Sequence, residues 1–148
     1  MHNNATTTMS EVRWELINAL DDELLNGGVI LSEWCSHIVR ETDLAFVGGA
    51  HLAVILTAVA GVETYLRSEY AVTGKERLVE LISQSAIPRQ LKKDLHRLRK
   101  YRNEWVHVDE PWNDEVLLDP EKAERELEGM ALLAVHALRH TIYENQLV

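Results

Sequence analysis

The chain has 148 residues and a formal net charge of -9, with 46% hydrophobic and 26% charged residues. These values are ordinary for one soluble globular domain and allow a buried core without disulfide or metal cross-links. The single cysteine, Cys35, excludes an internal disulfide framework, so a cytoplasmic protein is the default expectation.

The two segments that resemble targeting or membrane signals do not have the required features. Residues 1–9 are polar and rich in threonine, without the basic and then apolar order of a secretory signal, and we expect them to be disordered. The most hydrophobic stretch, residues 50–62, is shorter than the roughly 20 residues that a membrane-spanning helix needs. It predicts a buried core helix and no membrane partner.

Apolar residues recur at helical spacing over residues 10–148 and predict a single all-α domain, an antiparallel bundle of about five to six helices. Ser10 is the expected cap of the first helix, which ends before Gly27 and Gly28. Ser32 is the expected cap of the second helix, and Gly48 separates it from a third helix over about residues 50–70. A short fourth helix is predicted over residues 75–84.

The last two helices are bounded by prolines. Pro88 suits the first turn of the fifth helix, which should stop before Pro111 because the residue before a proline avoids helical backbone angles. Asp119 is the expected cap of the sixth helix, and Pro120 is expected at its first position.

The fifth helix carries a dense group of positive charges. Seven of the fifteen Lys and Arg residues lie between positions 88 and 102, where only Asp94 opposes them. They form either a solvated face or a patch that attracts phosphates and confines nucleic acid to one surface. In the second interpretation the candidate RNA-binding residues are Lys93, Arg97, Arg99 and Lys100.

Arg102 interrupts the apolar stripe of the fifth helix. Leu91, Leu95 and Leu98 define this stripe, and Arg102 and Trp105 are its next members at helical spacing. A guanidinium at such a position must be paired or face a cavity, because burying it alone is costly.

Glu63 lies within the apolar stripe of the third helix. It either forms an exposed pair with Arg67 at the i,i+4 spacing or reaches across the bundle and orients Arg102. Asn103 and His107 are four residues apart, so one face of a continuing helix would carry both.

The stretch "RNEWVH", residues 102–107, resembles the signature of the HEPN superfamily, an Arg followed by a polar residue and, a few residues later, a His. The wider layout is similar from Ser32 to His140, with a Glu-containing helix one short helix before the motif. The resemblance implies an all-α domain that usually dimerises, with two motifs facing each other. It also implies the motif residues Arg102, Asn103 and His107, supported by Glu63.

Active HEPN members are metal-independent endoribonucleases, often toxins or antiviral effectors, so the resemblance implies RNA as substrate, a homodimer, a cognate antitoxin as partner and no cofactor. Their chemistry suits these residue types, since His107 can transfer protons near neutral pH and Arg102 can stabilise a phosphorane. Other members are inactive and serve as dimerisation, nucleotide-binding or partner-binding modules, which is the alternative interpretation. A third is an unrelated bundle in which Arg102 forms a structural salt bridge.

His136 and His140 are the remaining candidates for a ligand site. They lie four residues apart on the sixth helix, but the stretch "HALRH" lacks the Glu of a zinc-protease motif and no third ligand is evident. We therefore predict no metal site.

Overall fold

Six α-helices and one short 3-10 helix make up the secondary structure of residues 7–147, the part of the chain that the computed structural model describes. The helices are α1 (Met9–Leu24), α2 (Glu33–Val47), α3 (His51–Tyr70), α4 (Leu78–Gln84), α5 (Arg89–Val106) and α6 (Pro120–Ile142), with the 3-10 helix (Glu115–Leu117) before α6. The predicted all-α bundle is confirmed.

The start of α1 differs from the prediction. Thr8, not Ser10, is the cap: its hydroxyl accepts a hydrogen bond from the Glu11 N–H (3.2 Å), and the Glu11 carboxylate accepts one from the Thr8 N–H (3.1 Å). This reciprocal pair satisfies two backbone N–H donors at the helix start, and the Ser10 hydroxyl donates instead to the Val47 carbonyl (3.4 Å). Thr8 and Met9, expected to be disordered, thus belong to the helix start, while residues 1–6 lie outside the described part of the chain.

The other helix ends follow local sequence signals. Ser32 caps α2 by accepting a hydrogen bond from the Cys35 N–H (3.1 Å), and Asp119 caps α6 with Pro120 at its first position, both as predicted. Gly49 separates α2 from α3 with a φ of +76°, a left-handed conformation that favours glycine. Pro88 is the cap of α5 and lies just outside its first turn.

α3 is the central helix and packs mainly against α2 and α6. Nine of its residues are buried, which confirms the predicted core helix: His51, Val54, Ile55, Ala58, Val59, Gly61, Val62, Tyr65 and Leu66. At Gly61 an added Cβ would lie 3.1 Å from Leu138 Cδ1 and 3.3 Å from Ile38 Cγ2, so glycine permits this close approach of three helices. Across residues 7–147 the helices fall short of the combined length and hydrophobicity required to traverse a bilayer.

A buried ion-pair network joins α6 to α1 and α2. The Arg139 side chain is 2% exposed and donates two hydrogen bonds to the carboxylate of Asp43 (2.9 and 2.8 Å) and one to Asp21 (3.0 Å). The Tyr143 hydroxyl donates a further hydrogen bond to Asp21 (2.6 Å). The planar guanidinium matches the Asp43 carboxylate in a bidentate geometry, which offsets part of the cost of burying it.

α5 lies at the edge of the bundle, against α3, α4 and α6. Leu91, Leu95 and Leu98 are its buried residues, as the apolar stripe predicts. The residues between them are half-buried or exposed, so most of the helix surface faces solvent. The packing therefore presents the basic residues of α5 outward and positions its C-terminal end, where the sequence motif lies, at the surface.

Candidate functional site

The C-terminal end of α5 carries the three predicted motif residues. His107 is the C-cap, with φ -127° and ψ 64°, and its N–H donates a hydrogen bond to the Asn103 carbonyl (3.0 Å). The helix therefore ends at Val106, before Pro111 as predicted. The His107 side chain is exposed, so it is accessible to a substrate.

Arg102 and Asn103 contact each other directly. Both are half-buried, and Arg102 Nε donates a hydrogen bond to Asn103 Oδ1 (2.9 Å). The two terminal guanidinium nitrogens of Arg102 have no hydrogen-bond partner within residues 7–147. Arg102 thus occupies the margin of the core rather than its interior. Its charge stays accessible at the surface, five residues before His107.

Glu63 does not contact this motif. Its carboxylate accepts a hydrogen bond from Arg67 (3.0 Å), which is the i,i+4 pair considered above. Arg67 also donates to the carbonyl of Glu76 (2.9 Å), so the pair ties α3 to the loop before α4. No hydrogen bond or ion pair joins Glu63 to Arg102 in the described structure.

The predicted RNA-binding residues lie together on the solvent-facing side of α5. Lys93, Arg97 and Lys100 are exposed and Arg99 is half-buried, and with His96 they line a shallow groove beside Val79 of α4. We call these five residues the α5 basic surface: Lys93, His96, Arg97, Arg99 and Lys100. Arg99 Nε is buried without a hydrogen-bond partner among the described residues. A run of cations along one side of an exposed helix suits the binding of a phosphate chain.

His96 is the member of this surface that sequence reasoning missed. Burial lowers the pKa of its imidazole below the ordinary 6.5, and the nearby cations Arg99, Lys100 and Lys92 lower it further. The sequence does contain a signal for His96. It lies three residues before Arg99 and four before Lys100, so the three side chains share one helix face.

The last residue of α5 and the segment that follows it, together residues 106–118, expose many large apolar side chains. Six of the fifteen exposed large hydrophobic residues that the structure describes lie there: Val106, Val108, Trp112, Val116, Leu117 and Leu118. Trp112 is 94% exposed. We call residues 106–118 the exit segment. Apolar exposure of this density is typical of an interaction surface.

The remaining candidates show no catalytic setting. His136 is half-buried and His140 exposed, and residues 7–147 contain no group of three His, Cys, Asp or Glu side chains able to hold a metal ion. Cys35 is buried, and burial raises the pKa of its thiol, which disfavours the nucleophilic thiolate.

No protein-family model matches this sequence, and no curated protein and no solved structure matches it either. The functional interpretation therefore depends on the chemistry and positions of the residues, and the resemblance to the HEPN superfamily stays a prediction.

Proposed function

We propose that the protein is a metal-independent endoribonuclease of HEPN type, acting in toxin–antitoxin or antiviral defence and cleaving RNA at a site shared by two copies of the chain. The observation that supports this most directly is the end of α5. There an exposed His107 lies one turn after Asn103, and Asn103 accepts a hydrogen bond from the Nε of Arg102, whose terminal nitrogens lack partners among residues 7–147.

The reaction needs no cofactor because RNA carries its own nucleophile. The 2′-oxygen attacks the adjacent phosphorus, a new P–O bond forms, and the bond from phosphorus to the 5′-oxygen breaks. His107 accepts the proton of the 2′-OH as general base. The leaving 5′-oxygen takes a proton from an acid, the role we assign to His107 of the second copy. The products are a 2′,3′-cyclic phosphate and a 5′-OH.

Arg102 stabilises the charge that builds up on the phosphorane. Its hydrogen bond to Asn103 fixes the Nε side of the guanidinium and leaves the terminal nitrogens to donate to phosphate oxygens. Such preorganisation costs no reorientation during the reaction. The α5 basic surface would hold the flanking phosphates of the same RNA strand.

The test compares wild type with His107→Ala on labelled structured RNAs in excess EDTA, followed by analysis of the product ends. His140→Ala is the matched control, because His140 is also an exposed histidine but lies on α6. We expect wild type and the control to cleave and to leave 2′,3′-cyclic phosphates. His107→Ala should be slower by about a hundredfold or more, the usual contribution of a general acid–base group.

Equal cleavage by wild type and His107→Ala would contradict the proposed role of His107. Loss of all cleavage in EDTA, with recovery on adding Mg²⁺, would contradict a metal-independent mechanism. Products that end in a 3′-OH would contradict attack by the 2′-OH.

A second candidate function is a catalytically inactive dimerisation, nucleotide-binding or partner-binding module of the same family. The observation that favours it is the exit segment, with its exposed apolar residues beside the carboxylates of Asp109 and Glu110. These carboxylates lie two and three residues after His107 and would repel an RNA strand. Absence of cleavage by a wild type that still dimerises, across several RNAs, would favour this function.

A further inference from the structure

A cavity of about 230 Å³ lies between α5, the exit segment and α6. The side chains of Tyr101 and Trp105 from α5 line it, and both are half-buried. Val108 and Leu117 of the exit segment add apolar lining. An aromatic and aliphatic lining of this kind suits the hydrocarbon part of a small ligand.

The polar groups that line this cavity are mainly acidic. Glu104 of α5, Asp114 of the exit segment and Glu126 of α6 contribute carboxylates, and none of the described lining residues is basic. None of the three forms an ion pair with any residue in the range 7–147. Burial raises the pKa of the Tyr101 hydroxyl, and the neighbouring carboxylates of Glu126 and Glu104 raise it further. The cavity lining therefore carries three carboxylates and no cation, and the nearby cations Arg97 and Lys100 line the adjoining groove with Glu104 and Glu126.

The cavity is distinct from the proposed catalytic site. Tyr101, Glu104 and Trp105 have the i, i+3, i+4 spacing of one helix face. Asn103 points about 200° around the helix axis from Tyr101, and none of the three motif residues Arg102, Asn103 and His107 lines the cavity. A ligand bound there would leave the motif free, so the inference does not depend on the proposed ribonuclease function.

We propose that this cavity binds a primary alkylammonium ligand, with an aliphatic diamine as the free small molecule that suits it best. The aromatic rings attract the ammonium group through their π faces, and the alkyl chain packs against Val108 and Leu117. The ammonium donates hydrogen bonds to the carboxylates, which a quaternary ammonium cannot do. Three carboxylates favour a dication over a monocation. The same charges exclude phosphates and other anions.

The test follows the indole N–H signals of the four tryptophans by NMR while putrescine is added. Phe replacements of Trp14, Trp34 and Trp112, one at a time, assign the Trp105 signal without altering the cavity. We expect a saturable shift of the Trp105 signal and none of Trp112, which is 94% exposed. The uncharged analogue 1,4-butanediol has a similar shape and should leave Trp105 unchanged at the same concentrations.

Substitutions test the carboxylates directly. Glu104→Gln with Glu126→Gln should weaken putrescine binding by about tenfold or more, which corresponds to about 1.4 kcal/mol. Glu121→Gln with Glu128→Gln is the matched control, because both residues are exposed on α6 and outside the cavity. Circular dichroism checks that both variants keep the helical fold.

A parallel titration with N-acetyl-lysine N-methylamide identifies the source of the ammonium group. Tighter binding of putrescine assigns the cavity to a free diamine, whereas tighter binding of the lysine derivative assigns it to a lysine side chain of a protein. No saturable shift of Trp105 with either amine would overturn the proposal. An equal shift with butanediol, or unchanged putrescine affinity in Glu104→Gln with Glu126→Gln, would overturn it as well. None of these results involves RNA, so they are independent of the cleavage experiment.

Discussion

Arg139 is the residue on which the packing of three helices most depends. Its buried guanidinium is balanced by Asp43 and Asp21, so its removal leaves two carboxylates without their cation. We expect Arg139→Met to lower the free energy of unfolding by about 3–5 kcal/mol, the usual cost of breaking a buried ion pair on one side. Urea denaturation followed by circular dichroism measures this change.

Arg40→Ala is the control for this prediction. Arg40 is exposed on α2 and forms no ion pair within residues 7–147, so its replacement should change stability by less than about 0.5 kcal/mol. A loss below about 1 kcal/mol in Arg139→Met would mean that the network contributes little to the fold.

The comparison of Arg102 with Arg139 shows how far the sequence identifies buried charges. Both arginines interrupt an apolar helix stripe, since Arg139 lies four residues after the buried Val135 and eight after the buried Ala131. Helical spacing points to Arg102, which is only half-buried, whereas the fully buried arginine is Arg139. Helical periodicity indicates which face a residue occupies, but the depth of burial depends on which helices pack there, and periodicity does not contain that information.

At the scale of elements, helix positions were predictable because their signals are local. Ser32, Asp119 and the glycines after α2 act within one turn, so their roles follow from the sequence. The prediction of Ser10 as the cap of α1 was wrong because Thr8, two residues earlier, forms a reciprocal pair of hydrogen bonds with Glu11. The sequence leaves the partner of Glu63 open for another reason. Arg67 lies on the same helix and Arg102 on α5, and only the packing of the helices decides between them.

The α5 basic surface gives a pH-dependent prediction for RNA binding. Burial and then the surrounding cations hold the pKa of His96 below 6.5, so its imidazole is mostly neutral at pH 7. Bound phosphates would neutralise these cations and favour the protonated imidazole, so RNA binding should take up a proton. We expect affinity for single-stranded RNA to rise as the pH falls from about 7.5 to 5.5.

Fluorescence anisotropy with a labelled RNA measures this dependence. At the higher pH, His96→Gln should bind RNA nearly as well as wild type. At the lower pH, it should show little of the increase in RNA affinity that wild type shows. His37→Gln, an exposed position on α2, should behave as wild type. Protonation of His96 adds one cation to the surface. The slope of log affinity against log salt concentration should therefore become steeper by about 0.7 at the lower pH. An equal increase in His96→Gln would contradict the role of His96.

Taken as a whole, the molecule separates its charges along the chain. The cations of α5 precede the carboxylates of the exit segment, and the α5 basic surface adjoins the acidic cavity, because Arg97 and Lys100 line one groove together with Glu104 and Glu126. A net charge of -9 opposes general binding of nucleic acid. RNA should therefore bind through the α5 basic surface or not at all, and binding should weaken steeply with salt.

The stability of the whole molecule should fall in mild acid. Burial lowers the pKa of His136 on α6, His140 and Arg139 lower it further, and Glu23 raises it in part. The pKa of His96 is lowered as well. Below pH 6.5 the unfolded chain therefore binds more protons at these residues than the folded chain does, so the free energy of unfolding decreases as the pH falls through this range.

Urea titrations between about pH 8 and 5.5 measure this effect, above the range in which carboxylates become protonated. The unfolding midpoint of wild type should fall below about pH 6.5, while His136→Gln, which cannot gain this proton, should show a flatter profile. His37→Gln should follow the wild-type profile, because His37 is exposed on α2. If the unfolding midpoints of wild type and His136→Gln fall in parallel with pH, His136 keeps its ordinary pKa in the fold. Its half-buried position on α6 would then still allow full hydration of the charged ring.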